Sequence, residues 1–252
     1  MGRRERLSRG LLLAIALAGV YCLKRHASTA TAEELRWLLT PTAALVEALG
    51  AGHFVWVAGD GYLDAEARFR IVPACAGVNF MAAILLTAGA GLAGTPASIR
   101  GRCAALLAAA TAAWGVTVIV NALRITLAMA LHQHPWWSPA FLAEAEAHQL
   151  LGILVYAGAL SLLHAAVRWR WELPTWTTLA VPLGCYGVIT LGLPALNGAL
   201  SRPDFGRHVA LVAAGATAIL AFGTAIRTLA PLTHRSRHGA STHPPGPFPT
   251  SQ

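Results

Sequence analysis

Six apolar segments, each about the length needed to cross a bilayer, constrain this chain more than any other feature. A spanning helix needs about 20 mainly apolar residues. The segments are Leu7–Leu23, Ile71–Ala93, Cys103–Leu131, His148–Val167, Pro174–Asn197 and Val209–Ala230. Composition agrees: 56% of the 252 residues are hydrophobic and 12% charged, where a soluble domain carries roughly a quarter. The expected fold is all-α, a polytopic transmembrane helix bundle of about six spans. A single domain is expected over residues 1–230, with 231–252 a disordered basic cytoplasmic tail rich in Pro, Ser, Thr, His and Gly.

The net charge of +8 would suit nucleic acid, but its distribution favours a topology signal. With the N-terminus inside and the spans alternating, eleven basic residues against two acidic fall inside, and seven basic against nine acidic fall outside. This is the positive-inside pattern. It places both termini in the cytoplasm and leaves no role for nucleic acid. Arg124 alone lies within a span. The basic start and small residues of the first segment fit either an uncleaved anchor, the favoured reading, or a signal peptide.

Between the first two spans, Arg36–Gly50 has helical apolar spacing broken by Pro41 and Glu47, and reads as an interfacial or re-entrant helix. After it, two β-rich runs flank Asp60-Gly61, a hairpin turn signal. A short extracytoplasmic hairpin leading into the second span is expected.

Three residues reach the outer side together. Cys75, in PACAGVNF, is placed in the first turns of an inward-running helix begun by Pro73. There the macrodipole favours thiolate; a small core cysteine and a Cys22–Cys75 disulfide are the other readings. Arg124 is costly in a span, and counting back from Leu131 sets it about 10 Å below the outer surface. It either snorkels or faces a polar cavity with Asn121, which shares its helical face. His148 opens the next span, with Gly152 four residues on to admit a neighbouring helix. Nucleophile, cation and base are the set that cysteine chemistry requires. Asn79 and Asn121 are expected to line the pocket, and Gly77 to leave room for a substrate backbone. No CxxC or His/Cys cluster is visible, so neither metal nor cofactor is expected.

PACAGVNF, NALRI (Asn121–Ile125) and AHQLLGILVY (Ala147–Tyr156), in that order, resemble the exosortase/archaeosortase family of membrane cysteine transpeptidases, and most nearly its K-type exosortases. The likeness runs from PTAALV (Pro41–Val46) through ILVY (Ile153–Tyr156). It implies Cys75 as nucleophile, Arg124 as the arginine of the site and His148 as general base. Many members read Cys-Ser-Gly, and Ala76 here removes that hydroxyl. The resemblance also implies a plasma (inner) membrane enzyme acting on its extracytoplasmic side. It would cleave exported proteins at a C-terminal tag made of a Pro-Glu-Pro-like motif, a hydrophobic helix and a basic end. The cleaved protein would pass to a surface acceptor, lipid or polysaccharide. The competing class is a transporter or anion channel built on Arg124; it calls for a polar path through the bilayer, whereas the inner halves of the spans are almost uniformly Ala, Leu, Val and Ile.

Overall fold

A computed structural model describes residues 3–64, 66, 69–93, 98–132, 144–168 and 177–238. The helices are α1 (Arg3–Ala27), α2 (Arg36–Ala48), α3 (Val78–Ala93), α4 (Ile99–His132), α5 (Glu144–Arg168), α6 (Thr177–Gly187), α7 (Leu193–Leu196) and α8 (Phe205–His238). A five-residue π-helical segment, Val188–Gly192, joins α6 to α7. Among the described residues, six helical stretches are long and apolar enough to cross a membrane, all at the expected places. The architecture is an all-α polytopic bundle. The most buried of the six is α3, which packs on α1, α4, α5 and α6. Small residues permit the close contacts: Gly89 of α3 meets Ala16 of α1, and Gly215 of α8 meets Ile153 of α5.

Prolines break helical hydrogen bonds here, and other elements repair them. Pro41 lies inside α2 and has no N–H for the Trp37 carbonyl four residues back. The indole Nε1–H of Trp114, on α4, donates to that carbonyl at 3.3 Å. The fifth span shows the same logic twice. Pro194 offers no N–H to Thr190, its α-type partner, or to Ile189, its π-type partner. Lys24 Nζ donates to the Ile189 carbonyl at 2.7 Å. His208 Nε2 lies 3.2 Å from the Thr190 carbonyl, while Gln149 Nε2 approaches His208 Nδ1 at 2.5 Å. Since an amide NH2 only donates, Nδ1 is the bare nitrogen and Nε2 carries the proton.

Helix α4 rises about 51 Å over its 34 residues, against a hydrocarbon core of about 30 Å. At one end Arg102 Nη1 donates to Ser8 Oγ of α1 at 2.9 Å. Lys24 lies sixteen residues beyond Ser8, as Val118 does beyond Arg102. Helix α1, which ends three residues later at Ala27, therefore stops about two thirds of the way along α4, and α2 runs beside the outer part of α4. Trp37 sits at Trp114, and Gly52, just past α2, abuts Met129. The expected interfacial or re-entrant segment is thus one helix running along α4.

The hairpin belongs to a three-stranded antiparallel sheet in the order β1 (Val55–Val57), β2 (Gly61–Asp64), β3 (Phe69–Ile71). Val57 pairs with Gly61 across the turn, and Tyr62 with Ile71. Buried Asp64 accepts the His53 N–H at 3.1 Å and the Glu66 N–H at 3.0 Å. Glu47 closes the loop after α2, accepting the Phe54 N–H at 2.6 Å.

That backbone hydrogen bond, helped by the His53 ring, holds the Glu47 carboxyl below the usual carboxylate range. A depressed folded pKa stabilises the loop above the unfolded value of about 4.3 and loses effect as pH falls through the folded value. The protection factor of the Phe54 amide in hydrogen exchange is therefore expected to decline in acid. In Glu47→Gln it should be lower at neutral pH and show no such decline.

Three expectations change. Helix α8 continues past Pro231 to His238, so residues 231–238 are helical; proline's φ is helix-compatible and its cost is one hydrogen bond. Residues 239–252 of the expected tail, with Pro174 at the start of the fifth span and His134, lie outside the described residues. All four cysteines are free, which removes the Cys22–Cys75 disulfide. The second span starts later than expected, and this bears on the site.

Candidate functional site

Cys75 does not stand on a helix. Pro73–Cys75 form a single 3-10 turn, closed by Cys75 N–H to the Val72 carbonyl at 2.7 Å and Ala76 N–H to the Pro73 carbonyl at 3.1 Å. Gly77, at φ +74°, then turns the chain into α3, which starts at Val78. Only glycine adopts that conformation without strain. The expectation that Cys75 occupies the first turns of α3 is corrected accordingly. Its thiol is half-buried in a turn three residues ahead of the helix.

Gly77 also plays a different part from the one expected. A Cβ there would lie 3.1 Å from Thr117 Cγ2 and 3.3 Å from Asn121 Cγ. The missing side chain makes room for α4, leaving none on that side for a substrate backbone.

Asn121 is fully buried. Its Nδ2 donates to the Cys75 carbonyl at 2.5 Å, and its Oδ1 accepts the Tyr156 hydroxyl at 2.6 Å. Both ends of the amide are occupied, so Asn121 ties the cysteine turn to α4 and α5 and does not line a pocket. Asn79 is exposed and turned to α1, where its Oδ1 accepts Lys24 Nζ at 3.0 Å. The left-handed residue at 77 explains this: Asn79 is not one regular turn below Cys75.

Arg124, one turn beyond Asn121 on α4, is only 9% exposed. Its guanidinium carbon sits 5.3 Å from the centroid of the Tyr156 ring, a cation–π placement. A Cβ on Gly152 would lie 3.3 Å from Arg124 Nη1 and 3.7 Å from Cδ. Gly152 thus opens the face of α5 to the Arg124 side chain. The buried Nε–H of Arg124 has no hydrogen-bond acceptor, and neither ion pair found among the described residues involves this guanidinium.

His148, Gly152 and Tyr156 recur every four residues, which sets all three on one face of α5. His148 is half-buried, about 6 Å along the axis from Gly152. The neighbouring Gln149 faces His208 of α8, and Glu146 pairs with Arg207 of α8. Helix α5 is thereby fixed in rotation with its His148 face toward Arg124. His164 is buried sixteen residues further along, remote from this group.

The centre of the group is Tyr156, a residue that sequence reasoning missed. It is buried, and its ring stacks on Phe80 of α3 at 4.9 Å and 14°. Both Cys75 and Arg124 lie within electrostatic reach of its hydroxyl, and Tyr186 of α6 is close enough to sense both Tyr156 and Arg124. The signal for it was present: four residues past Gly152, Tyr156 carries a hydroxyl on the helix face that also holds His148.

Fold and site together define a polytopic helix bundle in which a half-buried thiol and a buried guanidinium gather at one end around a tyrosine. No protein-family model, no curated protein and no solved structure matches the chain.

Proposed function

We propose that the chain is a membrane-embedded cysteine peptidase or transpeptidase of the exosortase type, acting on C-terminal tags of exported proteins. One observation carries the reading. The Cys75 turn, tied through Asn121, and Arg124 both pack against Tyr156 of α5, and His148 lies two turns away on the same face of that helix. A buried cation with no ion-pair partner among the described residues suits a site where negative charge develops during reaction.

In the proposed reaction His148 takes the Cys75 proton and the thiolate attacks the peptide carbonyl. Arg124 stabilises the resulting oxyanion. As the intermediate collapses, the C–N bond breaks, the leaving amine takes the proton back from His148 and a thioester remains on Cys75. Water or an acceptor nucleophile then gives up a proton to His148, attacks the thioester and releases the thiol. Chemistry at this end of the bundle suits a substrate whose tag helix lies in the same bilayer and presents its cleavage motif at the outer surface. In this reading that surface is the extracytoplasmic side of the plasma membrane, the side that the positive-inside count favours.

The test is a secreted reporter ending in a Pro-Glu-Pro motif, an apolar helix and a basic end, co-expressed with the full chain. Cleavage is expected with the natural sequence and loss of cleavage with Cys75→Ala at equal membrane abundance. Undiminished cleavage in Cys75→Ala would overturn the reading. Retained anion flux in vesicles carrying that variant would favour the channel instead.

A further inference from the structure

We infer that Asn121 and Tyr156 are positioning residues that set Cys75 for reaction, an assignment that rests on the nucleophilic role proposed for Cys75. What each group can donate decides the arrangement. A peptide carbonyl only accepts, so the Cys75 carbonyl requires the NH2 edge of the Asn121 amide. That leaves the amide oxygen facing the phenol, and the phenol must donate. The distances of 2.5 Å and 2.6 Å fit one unbroken chain of donation from Tyr156 through Asn121 to the Cys75 peptide.

Without the hydroxyl, one end of a fully buried amide has no partner, and nothing opposes the flipped orientation that would set oxygen against oxygen. The turn that carries Cys75 then loses its tie to α4. Gly77 sharpens this dependence, since its left-handed conformation separates the turn from α3. Main-chain bonds inside the turn run back to Val72 and Pro73, and the outward-facing anchor is Asn121.

Helix geometry converts the anchor into a spacing. Asn121 and Arg124 are three residues apart on α4, an axial rise of about 4.5 Å. One turn of the helix thus holds the backbone of the nucleophile, and the next presents the guanidinium. Tyr156 contacts both: its hydroxyl fixes Asn121, and its ring lies under Arg124 with Phe80 stacked on it. Cys75 and Arg124 thereby share one reference point on α5.

The test uses the full chain in lipid nanodiscs with three readouts: hydrogen exchange across residues 72–80, alkylation of Cys75 by iodoacetamide, and cleavage of the tagged reporter. Tyr156→Phe deletes one oxygen and keeps the ring; Asn121→Ala removes the amide. Both are expected to speed exchange of 72–80 at least 10-fold while α1 and α8 exchange as before, and to change the alkylation rate at least 3-fold. With the reporter, kcat should fall 10-fold or more and KM should stay within about 2-fold. Phe80→Leu removes the stack but keeps the hydroxyl, and should leave exchange of 72–80 within 2-fold of the natural sequence.

Natural exchange and turnover in Tyr156→Phe would overturn the inference. So would equal loosening by Phe80→Leu, because packing rather than hydrogen bonding would then hold the turn. If Cys75→Ala still cleaved the reporter, the peptidase reading would fall, while the exchange data would still decide whether the anchor exists.

Discussion

Arg124→Leu is expected to lower reporter cleavage by 10²–10³-fold without loosening the bundle. The two halves of that result have separate causes. Removing one preorganised donor from a developing oxyanion costs about 10²–10³ in kcat, or roughly 3–4 kcal/mol of barrier. Stability should move the other way. Arg124 is a buried residue with an unsatisfied Nε and no ion-pair partner among the described residues. Replacing a buried charge by an apolar side chain of similar reach is often neutral or stabilising. Thermal unfolding in detergent should therefore show a midpoint equal to or above that of the natural protein. A sharp fall in the midpoint would mean that Arg124 is structural. Arg124→Lys keeps the charge but loses the planar fork, and is expected to fall between the two in cleavage.

Gly77→Ala is the second large effect, and it should damage stability and activity together. A non-glycine residue at φ +74° costs about 1–2 kcal/mol. The new methyl would also meet Thr117 Cγ2 at 3.1 Å and press on Asn121 at 3.3 Å. Two contributions can be separated with Thr117→Ser, which removes the clashing methyl and keeps the hydroxyl. The double variant should recover the steric part of the loss and none of the conformational part, so rescue should be partial. Complete rescue would show that φ at Gly77 is unimportant. No rescue at all would show that Thr117 does not limit the approach of the turn to α4.

Much of the frame was legible because it follows from composition taken over long windows. Six apolar stretches long enough to cross a bilayer reappear as six long apolar helical stretches. Gly152 could be read as a packing position because it shares the face of His148, and the structure fills that space with Arg124. The misreadings concern residues whose behaviour depends on a partner far along the chain. Pro73 looked like a helix start, but Gly77 interrupts before the helix forms, and what favours that interruption is the close face of Thr117 and Asn121 on α4. Asn79 was assigned to the site on the assumption of an unbroken helix from Cys75. Tyr156 had no role assigned from sequence; its contacts with Asn121 and Arg124 are made only in the fold. Local pattern gives a residue's periodicity, whereas its hydrogen-bond partner is a property of the folded bundle.

The carbonyls exposed by Pro194 carry an implication for how the protein is made. An unpaired carbonyl in hydrocarbon costs several kcal/mol. The two at Ile189 and Thr190 are answered by Lys24 from the first helix and His208 from the last. As the ribosome threads the spans into the bilayer in order, the fifth arrives with only one of its two donors already present. Its final shape waits for the sixth. Biogenesis is therefore completed from the C-terminal end, and a chain truncated before α8 should be held by insertion chaperones or degraded, even though every residue of the Cys75–Arg124–Tyr156 cluster has already been synthesised.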